Sequence, residues 1–286
     1  MDKKFILTAL FLLAAAVISF LTYQSQELKR IYMAEVKKGT KRTSQQRNSI
    51  LTESDILHLP EPVRKYLRYV GVIGKEKVFS VKAVCEGEMK LDPKKGWVKI
   101  NSEQYNFFDD HPTRLFYMKA LMFGLPVLGL HSYTDEAAYM HIKVAGLFTV
   151  LDSRGPEMRI GDTTTLFNDM CFFAPATLID HRIQWEAVDP LTVKATFTNQ
   201  GTTISAVLYF NEKGELVNFI SNDRFYIPMD GSSQKAVWST PISNYKDIGG
   251  LKLPSYGEAV WKLPEGDYCY AKFTNIKEVK YNSEGF

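Results

Sequence analysis

The chain has 286 residues and a mass of 32.6 kDa, with 45% hydrophobic and 23% charged residues, so it suits one large cored domain and is too polar for a multi-span membrane protein. Three widely spaced cysteines, Cys85, Cys171 and Cys269, exclude a disulfide scaffold and a cysteine-based zinc site. Of the net charge of +3, the first fifty residues carry +6 and residues 51–286 carry −3, which argues against a nucleic-acid-binding domain with a basic face.

In chain order, the first element is the uncharged apolar run Phe5–Leu21, preceded by Lys3 and Lys4. As a helix it would cover roughly 25 Å, close to a bilayer's hydrocarbon core. A cleaved signal peptide and a retained anchor both fit this start. No small-x-small cleavage site follows the run, and a polar helix-forming stretch does, which favours a single-pass anchor over residues 5–21. The signals for orientation conflict. The excess of Lys/Arg after the run points the body to the cytoplasm, whereas the secretory-type start points it out of the cell. The expected location is the cell membrane with an extracytoplasmic body. Lys29, Arg30, Lys37 and Lys38 read either as a solvated linker or as a contact with anionic headgroups, worth about 1 kcal/mol per basic residue.

Thr40–Ser49 has no large apolar residue and reads as a linker. Thr52 and Asp55 form a candidate capping pair. Pro62 suits a helix start, and Val63, Tyr66, Leu67 and Val70 recur at helical spacing before Gly71. From Val78 the period changes to two: Phe79, Val81, Ala83 and Cys85 share one face, and the same alternation returns at 192–198 and 203–210, with a hairpin closing at Asn211–Gly214. Further strands are expected at 97–107, 138–144, 183–189, 215–221, 235–244, 256–262 and 268–280. The fold class is mainly β (α+β): a large curved antiparallel sheet or half-barrel with short helices closing one side. The expected divisions are an anchor at 1–23, a polar basic helix and linker at 24–58, and the β domain at 59–284. Two apolar insertions interrupt the strand pattern, Met118–Leu130 and Thr163–Leu178. They read as a loop and a helix that plug the curved sheet, or that touch a lipid-like ligand.

Several motifs fall in a recognisable order: LPEPVRKYLRYVG at 59–71, GPE at 155–157, APATL at 174–178, WEAVD at 185–189, FNEKGE at 210–215, Asp223-Arg224-Phe225, Trp238, Tyr245, the Gly-Gly-Leu-x-Leu-Pro run at 249–254, Gly257-Glu258, Trp261 and Leu263-Pro264-Glu-Gly266. Over roughly residues 55–281 this set resembles bacterial proteins grouped as domain of unknown function 6544. That resemblance implies no reaction and no catalytic residues. The strand pattern is also similar to the curved half-barrel of LolA- and LolB-type lipoprotein carriers, which shelter acyl chains, a likeness at the level of fold. Gly161-Asp162 and Cys171-Phe172 depart from the family's usual Gly-Glu and Tyr-Leu.

The sequence has no G-x-S-x-G elbow, no phosphate-cradling glycine loop and no H-E-x-x-H. His131 with Asp135, Glu136 and His141 is the best metal candidate, but Lys143 shares a strand face with His141 and would repel a cation. Asp109-Asp110-His111 and Asp180-His181 read as turns. Glu157, Glu186 and Glu258 are candidate raised-pKa acids, or structural partners of Arg159, Arg224 or a Trp N–H. Neither a metal nor a cofactor is expected.

The leading functional expectation is a non-catalytic, membrane-anchored β domain. It would bind a lipid, acyl chain or other hydrophobic ligand through Phe116, Met118, Met122, Phe123, Met140, Ile142, Phe172 and Phe173. One alternative is a hydrolase or isomerase using Glu157, Glu186 and His141. Another is an envelope scaffold that pairs through an exposed, uncharged sheet edge.

Overall fold

The computed structural model describes residues 3–46, 49–90, 93–227 and 233–283. The N-terminal apolar run lies in α1 (Lys3–Ser25), and α2 (Glu27–Thr43) follows after Gln26. From Lys4 to Ser25, α1 is long and apolar enough to cross a membrane, and its most apolar stretch is not buried within the protein. α2 buries Leu28, Tyr32, Val36, Gly39 and Thr43, a stripe at three- and four-residue spacing. The helix therefore continues into the stretch Thr40–Ser49 that reads as a linker, because Gly39 and Thr43 extend its packing stripe. Residues 47 and 48 of that stretch lie outside the described residues. Gly39 marks the closest approach of helix to sheet, since a Cβ there would lie 2.6 Å from Phe107 Cζ.

α3 (Glu53–Ile56) is capped reciprocally by Thr52 and Asp55, as the spacing indicates. Lys77 Nζ donates to Asp55 at 2.7 Å, and this bond, with those from Thr52, holds the carboxyl down at about 2. α4 (Glu61–Val70) carries Pro62 in its first turn and ends on Gly71 at φ 83°, a left-handed cap that glycine adopts without strain.

A single antiparallel sheet of fourteen strands follows. Its first half is β1 (Ser80–Met89), β2 (Val98–Phe107), β3 (Thr113–Met122), β4 (Leu125–Tyr133), β5 (Ala138–Val144) and β6 (Phe148–Arg154). α5 (Pro156–Phe172) and a 3-10 helix over Pro175–Ile179 come next. The second half is β7 (Ile183–Asp189), β8 (Thr192–Asn199), β9 (Thr202–Phe210), β10 (Leu216–Tyr226), β11 (Gln234–Ser239), β12 (Ile242–Ile248), β13 (Leu251–Leu263) and β14 (Gly266–Tyr281). The strand order is β6-β5-β4-β3-β2-β1-β14-β13-β11-β10-β9-β8-β7, with β12 pairing off β13. The two chain halves meet where β14 returns beside β1.

α5 touches β3, β5 and β6 on one side and β8, β9 and β10 on the other, so the sheet wraps around it as a half-barrel. The curl is locked at the 133–138 turn: buried Asn199 Nδ2 donates to Tyr133 Oη at 2.8 Å, and Arg159 donates to Gln200 Oε1 at 2.6 Å and to the Thr134 carbonyl. The principal core lies between α4, α5, the 3-10 helix and the inner face, where Phe167 stacks on Phe197 and meets Phe219 edge-on. A second core lies on the outer face, between α2 and Tyr105, Phe107, Leu115, Tyr117 and Leu130.

Two expectations need correction. Met118–Leu130 is no helix or loop insertion but the end of β3, a tight turn at Phe123–Gly124 and most of β4. α2 covers Leu128 and Leu130 on the outer face, and nearer the turn Leu121 and Leu125 are apolar although exposed, so these strands lack the polar alternation that marks a strand facing water. The expected strand at 235–244 is divided between β11 and β12 around Thr240–Pro241, since proline cannot donate to the ladder.

Gly39→Val is expected to lose about 1–3 kcal/mol in urea unfolding through overpacking against Phe107. Gly96→Val, in open space within a loop, is the neutral control. Because the Asp55 pKa is depressed on folding, its contribution is full above the ordinary carboxylate range near 4 and is lost as pH falls toward about 2. The stability difference between wild type and Asp55→Asn should therefore shrink between those values in acid titrations of the urea midpoint.

Candidate functional site

Directly paired residues of antiparallel strands share a face, so the registers of β2 to β5 arrange the inner face in rows. Phe116 pairs with His131, and His131 with Met140. The next row is Ser102, Met118, Gly129 and Ile142, and beyond it lie Ile100, Ala120, Val127 and Val144. Met122 sits at the β3–β4 turn. Five of the eight sequence-predicted ligand residues, Phe116, Met118, Met122, Met140 and Ile142, thus come together on one surface. Met118, Val127 and Ile142 form its buried floor, with Met89, Phe116, Met122 and Met140 half-buried around them. Met118 lies across Gly129, where a Cβ would stand 2.6 Å from its Cε, so the glycine makes room for the thioether. The arrangement is a methionine-rich apolar bay beside α5, filled in this structure by its own side chains. Methionine fills irregular space and repacks readily, which suits a ligand of variable shape.

The back of the bay is charged and buried. α5 presents Asp162 and Asp169 two turns apart over the rows that hold Gln104, Asn106, Arg114 and His131. Arg114 Nε donates to Asp169 Oδ2 at 2.7 Å, and the same oxygen accepts from Gln104 Nε2 at 2.6 Å and Asn106 Nδ2 at 3.1 Å. Asp162, with 0% of its surface exposed, faces His131 Nε2, and Arg114 lies 3.5 Å from His131 Nδ1. Tyr133 and Thr163 share a 2.9 Å hydrogen bond that extends the chain of polar contacts. Burial pushes the nearby Cys85 thiol up to about 12, with the Asp169 charge adding to it, so this sulfur is a neutral packing group rather than a nucleophile. Of this cluster, only His131 is among the candidate site residues of the sequence, there as a metal ligand. The signal available in the sequence is Asp162 and Asp169 at i, i+7, two charges in the otherwise uncharged stretch 160–172.

The remaining predicted ligand residues lie elsewhere. Phe172 and Phe173 are buried in the principal core, with centroids 5.6 Å and 5.9 Å from Phe273. Phe273 continues the Ile100 row through Gly87, so these rings stand at the end of that row. Phe123 is the tip of the β3–β4 turn. The alternative catalytic residues do not converge: Glu186 is exposed on β7 near Lys194, and His141 is on the outer face of β5, 2.9 Å from Thr149 Oγ1. Glu157 opens α5, and Glu258 accepts a hydrogen bond from Tyr256. His131 and His141 face opposite sides of the sheet, which separates the metal candidate. Among the described residues, no group of three or more His, Cys, Asp or Glu is placed to hold a metal ion.

The basic residues of α2 flank its buried stripe. The Arg30 guanidinium lies 3.7 Å from the Tyr23 ring centroid, Lys38 pairs with Glu35, Lys37 is exposed, and Lys29 lines an open groove of about 240 Å³ with Tyr32, Met33 and Glu103.

Residues 49–273 match the profile of the family of unknown function DUF6544. The chain belongs to that family. The DUF6544 protein is similar to a domain of a putative outer membrane lipoprotein-sorting protein from Vibrio parahaemolyticus, at 12% identity and TM-score 0.38, covering 71% of this chain and 85% of that one. It is similar to a DUF1329 family protein from Desulfovibrio piger at 11% identity and TM-score 0.40, over 77% and 91% of the two chains. A LolA superfamily protein from Nitrosomonas europaea matches at 9% identity and TM-score 0.32, over 77% and 91%. No curated protein matches the chain.

The polar back wall makes a thermodynamic prediction for this DUF6544 protein. Asp169→Ala leaves the Arg114 charge buried without its partner and is expected to lose about 3–5 kcal/mol in urea unfolding. Removing both charges, as Arg114→Met with Asp169→Leu, should cost less than the single change.

Proposed function

We propose that this DUF6544 protein holds an acyl chain or another elongated hydrophobic ligand in the inner-face bay, without catalysis, while α1 keeps it at a membrane. The observation that carries this reading is the coincidence of Phe116, Met118, Met122, Met140 and Ile142 in adjacent cross-strand rows that α5 leaves half-covered. Apolar area removed from water contributes about 25 cal/mol per Å², so a flexible chain laid along these rows gains affinity without any directed polar contact. The buried Asp162–His131 and Asp169–Arg114 pairs serve as a rigid wall. They hold α5 back from the rows and mark where the apolar surface stops. We place the body outside the cytoplasm, on the basis of the secretory-type start.

The test is binding of a fluorescent fatty acid to the full chain in nanodiscs. Met140→Glu introduces a charge at a half-buried position and should weaken binding about tenfold or more, whereas Met140→Leu retains it. Unchanged affinity in Met140→Glu would remove the bay as the ligand site.

One observation favours a second reading. β6 is an edge strand, and its segment 148–151, Phe-Thr-Val-Leu, is uncharged and exposed. Such an edge is a template for strand addition by a partner. Val150→Lys should abolish any association through this edge and leave fatty-acid binding intact.

A further inference from the structure

We infer that the end of the sheet carrying the β1–β2, β3–β4 and β5–β6 turns is seated in the surface of the bilayer that α1 enters, so that the apolar bay opens directly onto lipid. This deepens the proposed function and rests on its reading of α1 as an anchor.

α1 leaves the body beside the β5–β6 turn. The β5–β6 turn lies against the end of α1: a Cβ at Gly146 would stand 2.7 Å from Ser25 Cα. Just beyond, Glu27 at the start of α2 pairs with Lys143 near the end of β5. Arg30 lies over the Tyr23 ring and donates to the Tyr23 carbonyl, which ties the last turn of α1 to α2. The bilayer surface is thereby held beside this turn.

The same end exposes large apolar side chains. β3 to β6 are neighbours, and the β3–β4 and β5–β6 turns project from the same end. Phe123 at the first tip is 99% exposed, Leu121 68%, Leu125 50%, and Phe148 at the start of β6 68%. Exposed apolar side chains gathered at one end of a sheet mark a contact surface, and the continuous apolar helix leaving beside them names its occupant. The β1–β2 connection at this end adds exposed Lys95 and Lys99 around Trp97, whose ring also has the Lys272 ammonium 4.4 Å from its centroid. Tryptophan with flanking lysines suits the headgroup layer of an anionic membrane. The opposite ends of the same strands carry Asp109, His111 and Asp135, bonded to Arg42, Arg182 and Gln200. Among the described residues of β2 to β5, the opposite end thus presents polar and charged groups where this end presents apolar ones.

The consequence is a route. Moving inward from the tips, Met122 and the Ile100–Ala120–Val127–Val144 row lead to Met118 and Ile142 with no charged residue among them. An acyl chain can pass from bilayer to bay along one continuous apolar surface, and the aspartates of α5 stop it at the far end.

The experiment labels single cysteines with an environment-sensitive nitrobenzoxadiazole dye in the full chain, with Cys269→Ser as background because Cys85 and Cys171 are buried. The chain is placed in nanodiscs of phosphatidylcholine and phosphatidylglycerol with spin-labelled quencher lipids. Phe123→Cys reports the proposed contact, Leu13→Cys the anchor, and Lys213→Cys, at the tip of the β9–β10 turn, is the control. Blue-shifted, quenched emission at positions 123 and 13, with water-like emission at 213, is the expected result. Quenching at 13 with water-like emission at 123 would overturn this inference while leaving anchor and bay intact. Water-like emission at 13 would overturn the anchor, and this inference with it.

Discussion

A carboxylate taken out of water must be met by a cation or by several hydrogen bonds, and α5 carries two such carboxylates to the inside of the sheet. Asp169 finds Arg114, Gln104 and Asn106 over the inner-face rows, and Asp162 lies against the His131 ring, which seats the helix there. With α5 fixed there, Leu166, Phe167 and Met170 fill the space toward the second half of the sheet and build the principal core. The rows nearer the β3–β4 turn are then left with only their own side chains as cover. Core and bay are two consequences of one placement.

The outer face is governed by a different constraint. α2 has to lie flat on β2 to β4, and a glycine at the crossing over Phe107 permits the approach. That packing ties the body to the end of α1, so the position of the β5–β6 turn relative to the apolar helix is set by a folded contact. The same end bears Phe123 and the open rows of the bay. The parts that suit a membrane-side carrier therefore lie together, whereas Glu186, His141 and Glu157, the groups that an enzyme would have used, lie on different strands and faces.

Much of this architecture was legible from the residues. The alternation at Val81–Cys85, Val193–Phe197 and Ile204–Phe210 identifies half-buried strands, and β5 and β7 fall on the expected bounds. Thr52–Asp55, Pro62 and Gly71 mark helix ends because capping is local chemistry. Residues 118–130 were opaque because α2 covers Leu128 and Leu130 on the outer face while Leu121 and Leu125 are apolar though exposed, which erases the polar half of the period of two. The Asp169–Arg114 network was opaque for another reason: its members are 55 residues apart and meet only through the curl of the sheet. Of the predicted ligand residues, those on β3 and β5 converge because alternation places them on one face. Phe172 and Phe173, in the stretch that reads either as core or as ligand contact, are buried in the principal core.

The central claim is that the bay is a ligand site, and native mass spectrometry of the full chain extracted gently from its own membranes tests it most directly. The account predicts a population carrying an additional mass of a phospholipid, fatty acid or other acyl compound, released when the protein is unfolded in the gas phase. A chain that emerges bare from every extraction, and that stays bare after incubation with excess phospholipid, would contradict the account.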